Sequence, residues 1–485
     1  MSYPQQGGAA PPAPAGPAVP PPAVPPQAGP PAPVPAARPL PTAPGPRRTA
    51  WSEGVDRLRA GATTEPGRLR IIGALLALLV VAFGAVTAWQ MTERSAAADD
   101  VLHKSQPLSS DAADIYRSLA DANTAASSGF LAGGQEPDDT RRRYEDDIRT
   151  AAAKLVTAAA NSEPGSASAD TITKLNKLLP EYKGLVERAR ANNRQGFPLG
   201  GAYLRYANAK MQGEMLPAAE DLYVSENRRL RSDYSAATPY PWAALALGVV
   251  VLGALGWAQR RHYRRTNRVV NQGLAAATAA SAVVLLWLAV GHTVARAGLD
   301  SSYDHGVRSL NVLHDAQIAS LKARGNETLT LVSRGAETVE VDGEAMDKFD
   351  FDFQTSMKDL TAGLAEADSL ADDRAGEKPV TAATANMKVW KSRHLEARKA
   401  DDAGDYQGAL NRIIGTTAQK PTAECFDGVD DNLKLALDHE EREFRQAAGD
   451  GRDAMTGLPA GAAVLAVLGA AGAVLGIGRR LSEYR

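Results

Sequence analysis

The sequence holds a single cysteine, Cys425, among 485 residues, and one thiol excludes any disulfide framework within the chain. Aromatic residues are scarce, at 6%. Alternating β-branched runs are almost missing, which excludes a β architecture; residues 337–342 form the one short strand-like exception. An excess of either charge is also lacking. Against 54 basic residues stand 56 acidic ones, a net charge of −2 that gives no sign of a nucleic-acid partner. The seven histidines, at 103, 262, 292, 305, 314, 394 and 439, never pair at helix-face spacing as metal ligands would. Phosphate-binding glycine loops, kinase motifs and paired acid and base are missing as well, so no catalytic, cofactor-binding or metal site is expected, and no enzyme.

What the chain does have is apolar length. A bilayer core of roughly 30 Å needs about 20 apolar residues of helix. Four blocks supply that without a charged side chain: 71–91, 240–258, 274–294 and 458–478. Trp89, Trp242 and Trp257 sit near block ends, where an amphipathic ring suits the lipid–water interface, whereas Trp287 lies deeper. The first block starts too late and runs too long for a cleaved signal peptide and reads as an anchor.

Arginine sets the expected direction. Arg68 and Arg70 precede the first block, Arg260, Arg261, Arg264, Arg265 and Arg268 lie between the second and third, and Arg479, Arg480 and Arg485 follow the fourth. Short basic segments stay cytoplasmic. The chain therefore divides into a cytoplasmic tail (1–66), a first span (67–91), an outer domain (92–239), a second span (240–259) and a basic cytoplasmic loop (260–273). A third span (274–294), a second outer domain (295–457), a fourth span (458–478) and a short cytoplasmic tail (479–485) follow. Before residue 47 lie 18 of the 30 prolines. Such a stretch lacks backbone donors and apolar bulk, so a disordered tail with polyproline II character is expected, with a reach on the order of 140 Å at full extension. It serves either as a spacer or, through Pro20-Pro21-Pro22 or Pro25-Pro26, as a docking segment.

The two outer domains read as a duplication. Residues 120–134 align with 321–335, 144–155 with 349–360, and a third block sets Tyr182 over Trp390, Arg190 over Arg398 and Gly196 over Gly404. In the first domain Ile115, Leu119, Ala122, Ala126 and Phe130 form one helical stripe, matched by Ile318, Leu321, Gly325, Thr328 and Val332. Helices are also expected at 138–160, 169–193 and 202–232, separated by Gly133-Gly134, Glu163-Pro164-Gly165 and Pro198-Leu199-Gly200. The fold class is thus an all-α membrane protein: four transmembrane helices carrying two tandem extracytoplasmic four-helix bundles, with first and last helices continuing the spans. Tyr182 and Trp390 are expected to plug equivalent core sites, Arg141, Arg142 and Arg143 to lie on a solvated face or else to bind an acidic ligand or partner, and Cys425 to be a small buried residue or else to couple two chains. Gly472 and Gly476 permit close helix approach.

Several segments carry a resemblance. Ile115-Tyr116-Arg117-Ser118-Leu119-Ala120-Asp121-Ala122, Arg142-Arg143-Tyr144, Leu216-Pro217-Ala218-Ala219-Glu220-Asp221-Leu222-Tyr223 and Asn326-Glu327-Thr328-Leu329-Thr330-Leu331-Val332, with the order of spans and domains, resemble the GlnX family of actinobacterial four-span proteins. Each outer domain also resembles the four-helix sensor domain of chemoreceptors. The resemblance implies a transducer that senses glutamate or aspartate through a solute-binding lipoprotein, GlnH, and relays the signal to the cytosolic Ser/Thr kinase PknG. A cell-envelope scaffold and an accessory subunit of an amino-acid transporter are the alternatives, and a homodimer stays open. Since neither outer domain shows a dense set of convergent polar residues, a protein partner is expected instead of a small ligand in a pocket of one domain.

Overall fold

The computed structural model describes residues 65–133, 136–266, 271–341, 343–415 and 421–482. The proline-rich tail up to residue 64, Gly134, Arg268, Asp342 and Arg485 lie outside them.

In chain order, α1 (Glu65–Asp100) passes through a wide π-helical turn, π1 (Val101–Ser105), into α2 (Gln106–Leu131). Helices α3 (Asp138–Asn161) and α4 (Ala167–Arg194) follow, then α5 (Leu199–Lys210), π2 (Met211–Met215) and α6 (Leu216–Ala237). α7 (Trp242–Thr266) leads to α8 (Gln272–Ser301), π3 (Ser302–Val307) and α9 (Arg308–Ser333). The hairpin β1 (Thr338–Val341) and β2 (Glu344–Asp347) comes next, then α10 (Lys348–Leu370), α11 (Arg374–Asp402), short α12 (Tyr406–Ile414), α13 (Thr422–Asp453) and α14 (Leu458–Ser482).

Four of these runs are long and apolar enough to cross a membrane, within residues 67–131, 199–264, 272–333 and 422–479. The chain is a multi-pass membrane protein. In the spanning part α1, α7, α8 and α14 form a ring in which each packs on two neighbours. Its outer face is apolar, unlike that of a water-soluble bundle: Leu78 (65%), Leu286 (66%) and Leu475 (67%) face outward, around an interior that is also mainly apolar and in which Thr87 and Ser281 are buried. Lipid tails are as apolar as leucine, so small residues and shape hold such a ring together. The glycine pair of the last span is used in this way. A Cβ on Gly273 of α8 would stand 2.2 Å from the Gly472 carbonyl oxygen and 2.5 Å from the Gly476 Cα. Asn271, which caps α8 by accepting from Gly273 N–H at 3.1 Å, also donates to the Gly476 carbonyl at 2.9 Å. Trp287, the deep tryptophan, lies over Gly461, where a Cβ would come within 2.3 Å of its ring.

Beyond the spans stand two helical bundles, α2–α3–α4–α5/α6 and α9–α10–α11–α13. The two bundles follow a similar order of elements. π1 and π3 both follow a span, α2 and α9 each have 26 residues, and Gly196 (φ +73°) and Gly404 (φ +81°) both follow the third helix. Tyr182 and Trp390 occupy matched sites on α4 and α11, both at 0% exposure. One sequence cause of the wide turns is visible in the first half. Pro107 and Pro217 stand just after π1 and π2, where a missing N–H prevents the regular bond to residues 103 and 213 inside each turn. The run expected as one helix over 202–232 is therefore divided by π2. The strand-like segment is β1, paired antiparallel with β2 from Thr338–Asp347 to Val341–Glu344; the partner strand had no signal in the sequence.

The spans and bundles join in two ways. α1–π1–α2 and α8–π3–α9 are continuous, so the first run of 65 residues extends about 98 Å at 1.5 Å per residue. Breaks separate α6 from α7 at Thr238–Pro241 and α13 from α14 at Ala454–Gly457, the second with Gly457 at φ +78°. The bundles do not have separate cores: α2 packs on α9, and one hydrophobic cluster runs from Tyr144 and Leu155 through Ile115 and Leu321 to Phe353 and Val429.

Candidate functional site between the two bundles

α2 and α9, which pack face to face along the seam between the bundles, carry many buried polar side chains. The first bundle contributes Asp121, Asn123, Thr124 and Ser127 from α2, the second Gln317, Arg324, Glu327 and Thr328 from α9, all buried. Buried polar groups need partners, and many find them across the seam or on the next helix. Arg143, on the first turns of α3, donates to Asp121 at 3.0 Å and across to Asp427 of α13 at 2.6 Å. Gln317 donates to Asp430 at 2.9 Å, and Lys322 pairs with Glu220 of α6 at 3.0 Å.

Bordering this seam is a cavity of about 320 Å³. Asp121, Thr124 and Ser128 of α2, Asp139, Thr140 and Arg143 of α3, Arg324 of α9, and Phe426 and Asp427 of α13 line it, with Ala125 and Ile414. The Arg143 and Arg324 guanidinium carbons lie 5.9 and 6.0 Å from the centre of the Phe426 ring. Burial lowers the Arg143 basicity, but the Asp121 and Asp427 carboxylates outweigh it and hold the guanidinium charged. Behind the wall, burial and the nearby Asp121 charge push the Asp147 carboxyl up to about 8.

A second set of charges lies deeper in the second bundle. Glu327, at 0% exposure, accepts from Arg324 at 2.6 Å and Trp390 Nε1 at 3.1 Å, and lies 3.0 Å from His394 Nδ1. The other His394 nitrogen lies 3.0 Å from Asp350, and Phe353 stacks on the imidazole at 3.6 Å. Burial alone would lower the His394 pKa; bonds to Asp350 and Glu327 outweigh it and raise it above the ordinary value. For Glu327 and Asp350, burial raises the pKa, but His394 with Arg324 or Arg398 brings the net shift below normal.

The residues singled out in the sequence are distributed as follows. Arg141 pairs with Glu145 at 2.9 Å on an outer face and Arg142 is exposed, but Arg143 turns into the seam, a correction to the solvated-face reading. Cys425 is buried, 3.7 Å from Arg393 Nη1. Asp373, His439 and Glu443 bring ligand atoms within 4.8 Å of one another, a set that histidine spacing alone missed because Asp373 comes from the turn before α11. Asp373 already caps α11 by accepting from Gly376 N–H at 2.7 Å. The expectation that no bundle gathers polar groups is corrected by the Arg324–Glu327–His394–Asp350 set. Its signal was available: Arg324 and Glu327 stand three residues apart on α9 among small and apolar residues. Asp427 gave none, because it meets Arg143 across 284 residues of sequence.

No curated protein and no solved structure matches the chain. Residues 97–235, from the end of α1 through the whole first bundle into α6, match the family model of an actinobacterial sensor domain.

Proposed function

We propose that the chain is a non-enzymatic signal transducer of the bacterial plasma membrane, with both bundles outside the cell and both termini in the cytoplasm. One observation carries the reading: two helices run without a break from the spans into the bundles and meet there face to face in a common core. Anything that changes how α2 sits on α9 changes how α1 and α8 emerge on the other side. A binding partner shifts such an equilibrium only by its differential affinity; a tenfold preference supplies about 1.4 kcal/mol, so the movement it drives has to be small, of the kind seen when packed helices slide by about 1 to 2 Å. The match to a sensor domain supports the input role. The resemblance of the sequence supports a glutamate- or aspartate-loaded GlnH-like lipoprotein as that input and a PknG-like kinase as the output.

The test uses the full chain in lipid nanodiscs. A Cβ on Gly73 of α1 would stand 3.1 Å from the Ile477 side chain of α14, so the pair Gly73→Cys and Ile477→Cys reports the cytoplasmic end of the span ring. Loaded lipoprotein should change the disulfide cross-linking rate several-fold. Lipoprotein binding without any change in rate would refute the relay. Labelling of Arg265→Cys from outside the cell would overturn the orientation.

A further inference from the structure

The cavity at the seam has a charge pattern that selects a ligand. Its lining carries three carboxylates, Asp121, Asp139 and Asp427, against two guanidiniums, Arg143 and Arg324. Arg324 is already balanced by Glu327 behind the wall, at 2.6 Å. Arg143 alone is left to face ligand, and it is shared between Asp121, whose side chain is 5% exposed, and Asp427, whose side chain is 42% exposed. Of those two partners, Asp427 is the one solvent already reaches, and it belongs to the other bundle. Asp139 sits at the mouth, in the first turn of α3, and accepts from the Thr140 backbone N–H. The apolar part of the lining, Phe426 with Ala125 and Ile414, offers no charge.

A net anionic molecule would enter a cavity that is already negative. A plain cation would leave Arg143 without a new partner. A molecule with one ammonium and one carboxylate on a short stem answers both, and about 320 Å³ is at the small end of ligand sites. We propose that the seam cavity binds a free α-amino acid with an uncharged, mainly apolar side chain. Its carboxylate takes the place of Asp427 on Arg143, its ammonium is received by Asp139, and its side chain lies on Phe426. Binding then breaks an ion pair between the bundles and leaves the ligand's contact with Phe426 in its place, which alters how α3 is held against α13. This deepens the transducer reading and rests on it for its consequence, while the binding is measured by itself. The acidic amino acids remain the business of the lipoprotein.

Calorimetry on the full chain in nanodiscs, titrated with leucine, leucinamide, N-acetylleucine, glutamate and aspartate, tests it. Leucine should bind saturably with at least tenfold preference over the other four. Asp139→Asn, a change at the exposed rim, should weaken leucine about tenfold. Asp427→Asn should strengthen it, because the competitor for Arg143 is gone; a merely structural role for these residues would not give opposite signs. Binding of leucinamide as tight as leucine, preference for glutamate, or no binding by any probe would each overturn the proposal. If cross-linking at Gly73→Cys and Ile477→Cys still responds to the lipoprotein in that case, the transducer reading stands without it.

Discussion

The two bundles share one plan and differ in what they place at its centre. In the first, the buried aromatic of the third helix, Tyr182, donates to Asn123 at 3.1 Å, a neutral pair. In the second, Trp390 donates to Glu327, which also holds Arg324 and His394, a charged set closed by Asp350. The aligned positions make the substitutions explicit: Asn123 stands where Arg324 does, Ala126 where Glu327 does, and Val186 where His394 does. The scaffold therefore tolerates either solution, since both satisfy the polar end of a ring that must be buried. What differs is the cost of losing one member and the response to pH.

The largest effect should come from Glu327→Ala. It leaves Arg324 and His394 buried without their shared counter-charge, which typically costs about 3–5 kcal/mol. Thermal unfolding of the full chain in detergent would show it, and a loss under 1 kcal/mol would mean that the charges are solvated after all. Replacing Arg324, Glu327 and His394 together with apolar residues of similar volume should cost far less than Glu327→Ala alone.

The pH response should separate the halves next. A histidine pKa raised by folding contributes stability that is complete below the unfolded value of about 6.5 and is lost as pH rises through the folded one. Glu327 and Asp350, held below their ordinary values, contribute above about 4 and lose it as pH falls. Hydrogen exchange on α11, corrected for intrinsic rates, should show protection falling on the alkaline side, and His394→Gln should flatten that slope. In the first bundle the sign comes from Asp147 instead: a carboxyl raised to about 8 destabilises progressively from the acid side up to that pH, and Asp147→Asn should remove the slope in α3. Identical profiles in the two halves would contradict the comparison.

The smallest effect should be Tyr182→Phe. It deletes one neutral hydrogen bond and leaves the ring, so about 1 kcal/mol is expected by the same unfolding measurement. A larger loss would give Asn123 a role beyond that bond.

Much of the architecture was legible because it depends on local composition. The four blocks and the helices near 138–160 and 169–193 follow from hydropathy and period, and the pairing of Tyr182 with Trp390 from the internal repeat. Finer breaks were not: the prolines after π1 and π2 act through single missing donors, which a stripe of apolar residues does not register. The site was legible only in fragments. Arg143 looked like its exposed neighbours because helix periodicity says which residues share a face and nothing about what another bundle brings to that face. Asp427 and Phe426 reach the cavity only because two bundles, each plausible alone, bury their first helices against one another.

That packing also changes how the protein can be inherited. In a receptor assembled from two copies of one chain, every coding change reaches both sides of the central interface at once. Here the two sides are separate stretches of one reading frame, so Asp121 and the matched Lys322, or Asn123 and the matched Arg324, can drift apart by single steps. A lesion in one half is met by an unaltered counterpart, and a ligand site on one flank needs no twin on the other.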